Sequence, residues 1–201
     1  KARDCPIVLI ADLPEKPLEE DNVYFVSGVV SRETLEMANT QESQGAIVLA
    51  DEHVEVHTRD AKTILDTLTI KTTYPQLYTC VELVDRKNIE HCKMAKADEI
   101  VVTGALSTNL LVQAALDHGV TEIISELVSN RYGHALYKIA VPQACVGHSF
   151  LDVLTQLKTD QNLIVVAVRS QKEGKFLANP PNSYIIDTQD QLVVIGQQRP
   201  D

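Results

Sequence analysis

The chain has 201 residues, which is enough to bury the core of one large domain or of two small ones. Its 28 acidic residues outnumber 18 basic residues, and the formal net charge of −10 argues against nucleic acid as a partner, because a phosphate backbone requires a basic surface. No apolar run approaches the roughly 18 residues that predict a membrane span. The 4 cysteines are far apart and form no CxxC pair, which indicates reduced thiols and not a disulfide framework.

The first half of the chain alternates between apolar runs and helical segments. Strands are predicted at residues 6–12, 23–28, 45–50, 77–83 and 99–103. Helices are predicted at residues 31–39, with Ser31 as the N-cap, at 54–72 and at 85–96. This alternation predicts an α/β fold, a Rossmann-like and mainly parallel sheet with helices on both faces. The run at 6–12 is typical of a strand that is buried on both faces.

Two consecutive helices then break the alternation. A helix over 105–118 places Leu106, Leu110, Ala114 and either Leu111 or Ala115 on one stripe. A second helix over 121–129 presents further apolar side chains, among them Ile123 and Leu127. Two interpretations stay open at nearly even weight: the pair closes the sheet, or it packs on another subunit.

The last part of the chain contains short strands and one helix. Strands are predicted at 135–141, 163–168 and 191–195, with a tight turn at 171–174 leading into a strand at Phe176, and the helix covers 149–157. This pattern predicts a small α+β lobe.

An acid at the end of the first predicted strand raises the question of a nucleotide. Asp12 is placed like the acid that holds a ribose hydroxyl in a Rossmann unit. The glycine loop that cradles the phosphates does not occur before it, so either the first βα unit lies outside this sequence or it is absent. The residues therefore favour a chain that does not bind a nucleotide by itself, and an NAD-dependent oxidoreductase fragment remains the rival.

Acidic side chains accumulate at the carboxyl ends of the predicted strands, where open α/β sheets place their ligands. They are Asp12, Asp51, Glu52 and Glu82. Converging carboxylates suit a hard cation such as Ca²⁺, whereas a polar crevice without a ligand is the simpler and favoured interpretation. His53 and His57 stand four residues apart like a two-histidine metal site, although solvated surface is the favoured interpretation of this pair. No motif for nucleophilic catalysis is present in the sequence, and an enzyme is not predicted.

Short motifs spread over nearly the whole chain resemble the RCK domains, the regulators of conductance of potassium. In the first lobe they are residues 25–28, 32–38, 88–89 and 94–98, and in the second lobe residues 126–137, 147–152 and 179–181 with Asp190. The Asn179-Pro180-Pro181 sequence looks more like channel members than like transporter subunits.

The resemblance implies three parts: a TrkA-N-like lobe at 1–103 without its first βα unit, an inter-subunit helix pair at 104–132, and a TrkA-C-like lobe at 133–201. It implies a ligand-sensing gating-ring domain of a prokaryotic potassium channel, at the cytoplasmic face of the membrane. The partners it implies are copies of the chain, as homodimers in a ring, and the pore-forming membrane segment of the same gene. Residues Leu106, Leu110, Ala114, Ile123 and Leu127 would form the oligomer interface.

The ligand implied by the resemblance stays open between Ca²⁺ and an adenine nucleotide. Its candidate site residues are Asp12, Gly28, Asp51, Glu52 and Glu82. Glu82 matches an acidic ligand position of calcium-gated relatives, but Val29 stands where those relatives carry an acid after the glycine. A calcium site of that type would be incomplete. The alternatives are a regulatory subunit of a potassium transporter and the oxidoreductase fragment.

Overall fold

The structure, a computed structural model, describes residues 5–51, 54–129 and 133–200, with residues 56 and 57 described by their backbone alone. The chain divides into two compact units, Lys1–Val112 and Gln113–Asp201. The three-part division expected from the sequence stays a prediction.

The first unit is a parallel α/β structure, which confirms the predicted fold class. Its strands are β1 (Ile7–Ala11), β2 (Val23–Ser27), β3 (Ala46–Val48), β4 (Thr79–Leu83) and β5 (Glu99–Val102). Its helices are α1 (Arg32–Met37), α2 (Val56–Thr73) and α3 (Ile89–Met94), with single 3₁₀ turns at Thr40–Glu42 and Arg86–Asn88. All strand pairs of this unit are parallel, β1 with β2 and β3-β4-β5 in that order, so the described residues of the first unit form two sheets.

One expectation about β1 is wrong. The strand is not buried on both faces, because Ile7 is 58% exposed and Val8 is 39% exposed. Within the described residues β1 pairs only with β2, and β3 pairs only with β4. Both β1 and β3 are therefore edge strands among these residues, and Ile47 of β3 is 74% exposed.

Local sequence signals decide where the helices begin. Ser31 caps α1: its Oγ accepts a hydrogen bond from the Thr34 backbone NH, and the Thr34 hydroxyl oxygen accepts one from the Ser31 NH. The cap predicted from the sequence is confirmed. The helix predicted at 85–96 is shorter, because the Asp85 side chain caps a 3₁₀ turn at the Lys87 NH before α3 begins.

The core of the first unit forms between α2 and the strands. Val81 and Leu83 of β4 are fully buried and pack with Leu35, Val48 and Ile70, among others. Polar side chains of α2 are buried beside this core, and they position the loops at the strand ends.

The second unit is an antiparallel sheet with one packed helix. Its elements are α5 (Val120–Val128), β6 (Ala135–Ala140), α6 (Phe150–Gln161), β7 (Ile164–Ser170), β8 (Lys175–Ala178) and β9 (Gln191–Gly196), and α4 (Thr103–Leu116) spans the boundary between the units. The strand order is β6-β9-β7-β8, with a bulge between Val165 and Ala167. Phe150 and Val153 of α6 pack on Val168, Leu192 and Val194, and all five are at most 2% exposed.

Candidate functional site

The candidate site residues lie at or near the carboxyl ends of the parallel strands in the first unit. At the first pair of strand ends, the Gly28 NH donates to the Ala11 carbonyl at 2.9 Å, and the Ser27 hydroxyl donates to the Leu13 carbonyl at 2.7 Å. Gly28 has a φ of +138°, and a Cβ there would lie 3.2 Å from the Thr34 methyl, so glycine suits this turn. Asp12 follows β1 directly and is exposed to solvent.

Asp51 follows β3 and is held by a lysine from α2. The Lys62 ammonium donates to Asp51 Oδ2 at 2.6 Å, and the two side chains are 36% and 28% exposed. The hydrogen bond to Asp51 raises the pKa of the Lys62 ammonium above its ordinary value, although burial acts in the opposite direction. The pair is a charge-assisted hydrogen bond, which is shorter and stronger than a neutral one.

Two more carboxylates act on the same ammonium. The negative charges of Asp66 and Asp12 contribute further to the raised pKa of Lys62. Burial raises the pKa of the Asp66 carboxyl above its ordinary value, the Lys62 charge opposes that effect, and the Asp51 charge adds to it. Lys62 is therefore the positive charge on which these three carboxylates act.

Glu82, on β4, uses its carboxylate to join two neighbouring strands. Its Oε2 accepts a hydrogen bond of 3.0 Å from the Ala50 backbone NH, just beyond the end of β3. Glu82 thus secures the backbone that leads into Asp51, and one of its two oxygens is occupied by an amide.

Of the predicted site residues, the structure relates Asp12, Asp51 and Glu82 through Lys62 and the end of β3, while Gly28 shapes the turn after β2. Glu52 and His53 lie outside the described residues, as does the side chain of His57. Sequence reasoning missed Lys62 and Asp66. Their spacing of four residues on a helix puts them on one face, and that was the available signal.

A buried carboxylate organises the neighbouring strand ends. Asp60 of α2 is 3% exposed and accepts hydrogen bonds from the Val84 NH at 2.9 Å, the Asp85 NH at 3.0 Å and the Asn88 side-chain amide at 2.7 Å. These bonds fix the loop after β4, which forms one wall of an open cavity of about 600 Å³. Arg86, Thr108 and Asn109 also line that cavity.

Helices α4 and α5 are exposed along their apolar side chains, and neither contains a buried residue. Among the predicted interface residues, Leu106 is 53% exposed and Ile123 is 60% exposed, whereas Leu110, Ala114 and Leu127 are half-buried. Side chains outside the predicted stripe are more exposed still, including Leu116 at 73% and Val128 at 69%.

Neither a membrane helix nor a metal cluster was found in the part of the chain that the structure describes. No helix there has the length and apolar character to cross a bilayer. In the same residues, no group of three or more His, Cys, Asp or Glu side chains is placed to hold a metal ion.

Comparisons with known proteins find similarity to ion channels. The family model described as "Castor and Pollux, part of voltage-gated ion channel" matches residues 104–201. The calcium-gated potassium channel TvoK of Thermoplasma volcanium is 24% identical over 97% of the chain. The putative potassium channel protein YugO of Bacillus subtilis is 27% identical over 94% of it. The human SLO3 gating ring superposes on 96% of the chain with a TM-score of 0.75 at 17% identity.

The chain is thus similar to potassium channel proteins over nearly its whole length, and its fold is that of a gating ring. It spans 56% of TvoK, 57% of YugO and 40% of the SLO3 gating-ring chain, so each of these proteins contains more than the region compared. The likeness to the gating ring is one of fold, and it covers both the parallel first unit and the antiparallel second unit.

TvoK is named as calcium-gated, and the candidate residues of the present chain do not fit a calcium ion. Ca²⁺ takes about six to eight oxygen ligands. In this chain Asp51 Oδ2 is paired with an ammonium, Glu82 Oε2 accepts a backbone amide, and the residue after Gly28 is Val29. The site assignments themselves stay predictions.

Proposed function

We propose that this chain is an RCK domain, the ligand-sensing, non-catalytic regulatory part of a potassium channel, and that it works at the cytoplasmic face of the membrane. The observation that carries the proposal is the match to two potassium channel proteins over at least 94% of the chain. The gating-ring fold of SLO3 supports it independently of sequence identity.

The exposed helices support assembly into a ring. Six large apolar side chains of α4 and α5 are more than half exposed, a concentration that is typical of an interaction surface. They are Leu106, Leu111, Val112, Leu116, Ile123 and Val128. The proposed partner is a second copy of the chain.

Ligand binding in the first unit would act through the relative stability of two ring geometries. A ligand shifts such an equilibrium only by the difference between its affinities for the two states. A change from a mostly closed to a mostly open population, from about 1:99 to 99:1, requires a difference of roughly 10⁴-fold in affinity. The regulatory role therefore requires that the candidate site differ between the two states.

Light scattering of the purified chain tests the assembly. We expect dimers or larger species, and we expect Ile123→Asp to shift them to monomers because a carboxylate cannot be buried in an apolar interface at low cost. Ser125→Asp on the same helix is the matched control, since Ser125 is already exposed and polar. A strictly monomeric wild-type chain at high concentration would contradict the proposed assembly.

Potassium flux through the full-length protein in liposomes tests the regulation. Proteins carrying Ile123→Asp should lose the dependence of flux on added Ca²⁺ or adenine nucleotide, while Ser125→Asp should retain it. Flux that ignores both ligands in the wild-type protein would reject the sensing role for these two ligand classes.

A further inference from the structure

The two parallel sheets of the first unit share one core, although no strand of one sheet pairs with a strand of the other among the described residues. Ile10 of β1 packs in the same apolar cluster as Val48 of β3, and so does Leu35 of α1, the helix between β2 and β3. Within the described residues, β2 contributes no side chain to this cluster. β1, and not β2, is therefore the strand of the first sheet that lies nearer β3.

The backbone amides of β1 alternate between the two sides of the strand. The Ile7 NH donates to the Asn22 carbonyl at 2.9 Å, towards the start of β2. By that alternation, the NH groups of Val8 and Ile10 point away from β2, to the side nearer β3. β1 thus presents a row of hydrogen-bonding groups on its free edge.

The free edge of β3 presents a matching row. The NH groups of Ala46 and Ala50 both donate towards β4, to the Tyr78 carbonyl at 2.8 Å and to a side-chain oxygen of β4 at 3.0 Å. The NH groups of Ile47 and Leu49 therefore point away from β4. All strand pairs in both sheets are parallel, so one strand running in the same direction can pair with both free edges.

The same alternation separates the two faces of these strands. Val48 and Ile10 face the core cluster, which also contains residues of α1 and α2. Ile7, Ile47 and Leu49 lie on the opposite face and are 58%, 74% and 65% exposed. Parallel sheets are covered by helices on both faces, so this apolar face calls for a helix.

We propose that one further parallel strand of the same polypeptide lies between β1 and β3 and pairs with both. The resulting order, β2-β1-added strand-β3-β4-β5, has the connectivity of a doubly wound sheet, in which the strand order reverses at the centre. Sequential strands are usually neighbours, so the segment that directly precedes β1 is the source of the added strand.

The handedness of the connections places the helix that follows the added strand. α2 connects β3 to β4 and packs on the core face of the sheet. A connection from the added strand to β1 runs in the opposite direction across the sheet, so a right-handed crossover puts its helix on the opposite face. That is the face that carries Ile7, Ile47 and Leu49.

Maleimide labelling of single cysteines in the full-length protein tests the proposal. The test variants are Ile47→Cys and Leu49→Cys, and Met37→Cys on α1 is the matched control, because Met37 is 72% exposed and Ile47 is 74% exposed. Cys5 and Cys80 are replaced by serine throughout, since neither is buried. We expect both test thiols to react at least about tenfold more slowly than the control in native protein, and equally fast in urea.

Hydrogen exchange of the wild-type full-length protein is a second measurement that requires no substitution. The amides of Val8, Ile10, Ile47 and Leu49 should exchange as slowly as the Ala46 amide, within about tenfold, because each would donate to the added strand. Free edges would leave these four amides open to solvent, and they would exchange much faster than Ala46.

Labelling of Ile47→Cys as fast as that of Met37→Cys, or fast exchange of the four edge amides, would overturn the proposal. Both measurements are repeated on protein that light scattering shows to be monomeric, obtained by dilution or with Ile123→Asp. Protection that persists in the monomer supports a strand from the same polypeptide. Protection that is lost on dissociation means that a second copy covers this face, which also overturns the proposal. Neither measurement needs a ligand or potassium flux, so the proposed channel role can fail alone.

Discussion

Each unit contains a buried aspartate whose carboxylate accepts three hydrogen bonds, but the donors lie at different distances along the chain. Asp60 holds groups that lie 24–28 residues away: the Val84 NH, the Asp85 NH and the Asn88 amide. Asp190 holds groups within 19 residues: the Gln171 NH, the Tyr184 hydroxyl and the Asp187 NH. Asp60 therefore connects a helix to a distant strand-end loop, whereas Asp190 closes the turns of its own small sheet.

The two units also differ in how many polar side chains they bury. The first unit buries several polar side chains of α2 and β4 beside its apolar core, namely Asp60, Thr63, Thr67, Lys71 and Thr79. The described residues of the second unit bury fewer polar side chains, namely Ser170 and Asp190. Buried polar groups must be satisfied by specific partners, so they fix geometry, while apolar packing contributes most of the stability. The first unit has the arrangement needed to position the candidate site residues, and the second has that of a stable support.

The largest change in stability expected from this contrast follows from truncating a core side chain of the second unit. Phe150→Ala removes a ring that is 2% exposed in the cluster below α6, and we expect the free energy of unfolding to fall by about 3–5 kcal/mol. Phe176→Ala is the control: this ring is 55% exposed and lies 5.5 Å from the Arg169 guanidinium, so we expect a loss of about 1 kcal/mol or less. Urea unfolding followed by circular dichroism measures both, and equal losses would contradict the assigned core.

Neutralising Asp60 in the first unit should lower the free energy of unfolding by less than Phe150→Ala does. Asp60→Asn replaces one acceptor oxygen by a donor that faces backbone NH groups, and we expect a loss of about 2 kcal/mol in the free energy of unfolding. Hydrogen exchange should report faster exchange at the Val84 amide or the Asp85 amide, because they donate to different carboxylate oxygens and the variant keeps only one oxygen.

Asp190→Asn is the counterpart in the second unit. We expect a similar loss of stability with faster exchange at Gln171 or Asp187, and with the amides of residues 84 and 85 unchanged. Asp21→Asn, at an exposed turn, controls for a change of net charge. Faster exchange at the same amides in both variants would show that the two connections are not separate.

The sequence predicts those features of the chain that depend on near neighbours. The Ser31 cap follows from a pattern within four residues, and the βα alternation follows from periodicity, so both were predictable. The Lys62–Asp51 pair joins positions 11 residues apart whose meeting depends on the direction of α2 after β3. The exposure of Ile7 and Val8 depends on which strands pair, and an apolar run cannot report its partners.

The site assigned from the sequence stays a prediction, and the structure adds a positive charge, Lys62, beside it. Asp12, Asp51 and Glu82 were selected because acids at strand ends suit a cation, and a lysine from the following helix was not weighed. Lys62 and Asp66 are four residues apart, which places them on one face of a helix. This spacing does not indicate which strand end that face lies against.

A smaller loss of stability is expected when the Tyr184 hydroxyl, which donates to Asp190, is removed. Tyr184 donates to Asp190 Oδ2 at 2.9 Å, and Tyr184→Phe removes that bond while keeping the ring, so we expect a loss of about 1 kcal/mol. Tyr24→Phe is the control, since Tyr24 is 58% exposed. Burial raises the pKa of the Tyr184 hydroxyl, and its hydrogen bond to Asp190 adds to the rise. The difference between the alkaline absorbance titrations of the wild-type chain and Tyr184→Phe should therefore show Tyr184 ionising above the ordinary tyrosine pKa, and ionisation below that value would contradict the contact.

The smallest effect concerns how the free energy of unfolding of the first unit changes at acidic pH. Asp98 Oδ2 accepts hydrogen bonds from the Lys71 ammonium at 2.9 Å and from the Thr79 NH at 2.8 Å. Burial alone would raise the pKa of the Asp98 carboxyl, but these two bonds and the Lys71 charge hold it below its ordinary value. A depressed folded-state pKa stabilises the fold above the unfolded value of about 3.9, and this contribution disappears as the pH falls through the folded pKa.

We expect Asp98→Asn to lower the free energy of unfolding by less than about 1 kcal/mol at pH 7, because the side chain is 36% exposed and solvent screens the pair. The amide oxygen of the variant can still accept one of the two bonds. The difference between the wild-type chain and Asp98→Asn should shrink as the pH is lowered from 5 towards about 2, where the wild-type carboxyl is also protonated. Asp21→Asn should run parallel to the wild-type curve over that range. A difference that stays constant with pH would mean that Asp98 contributes through packing alone, and the polar character assigned to the first unit would lose one of its supports.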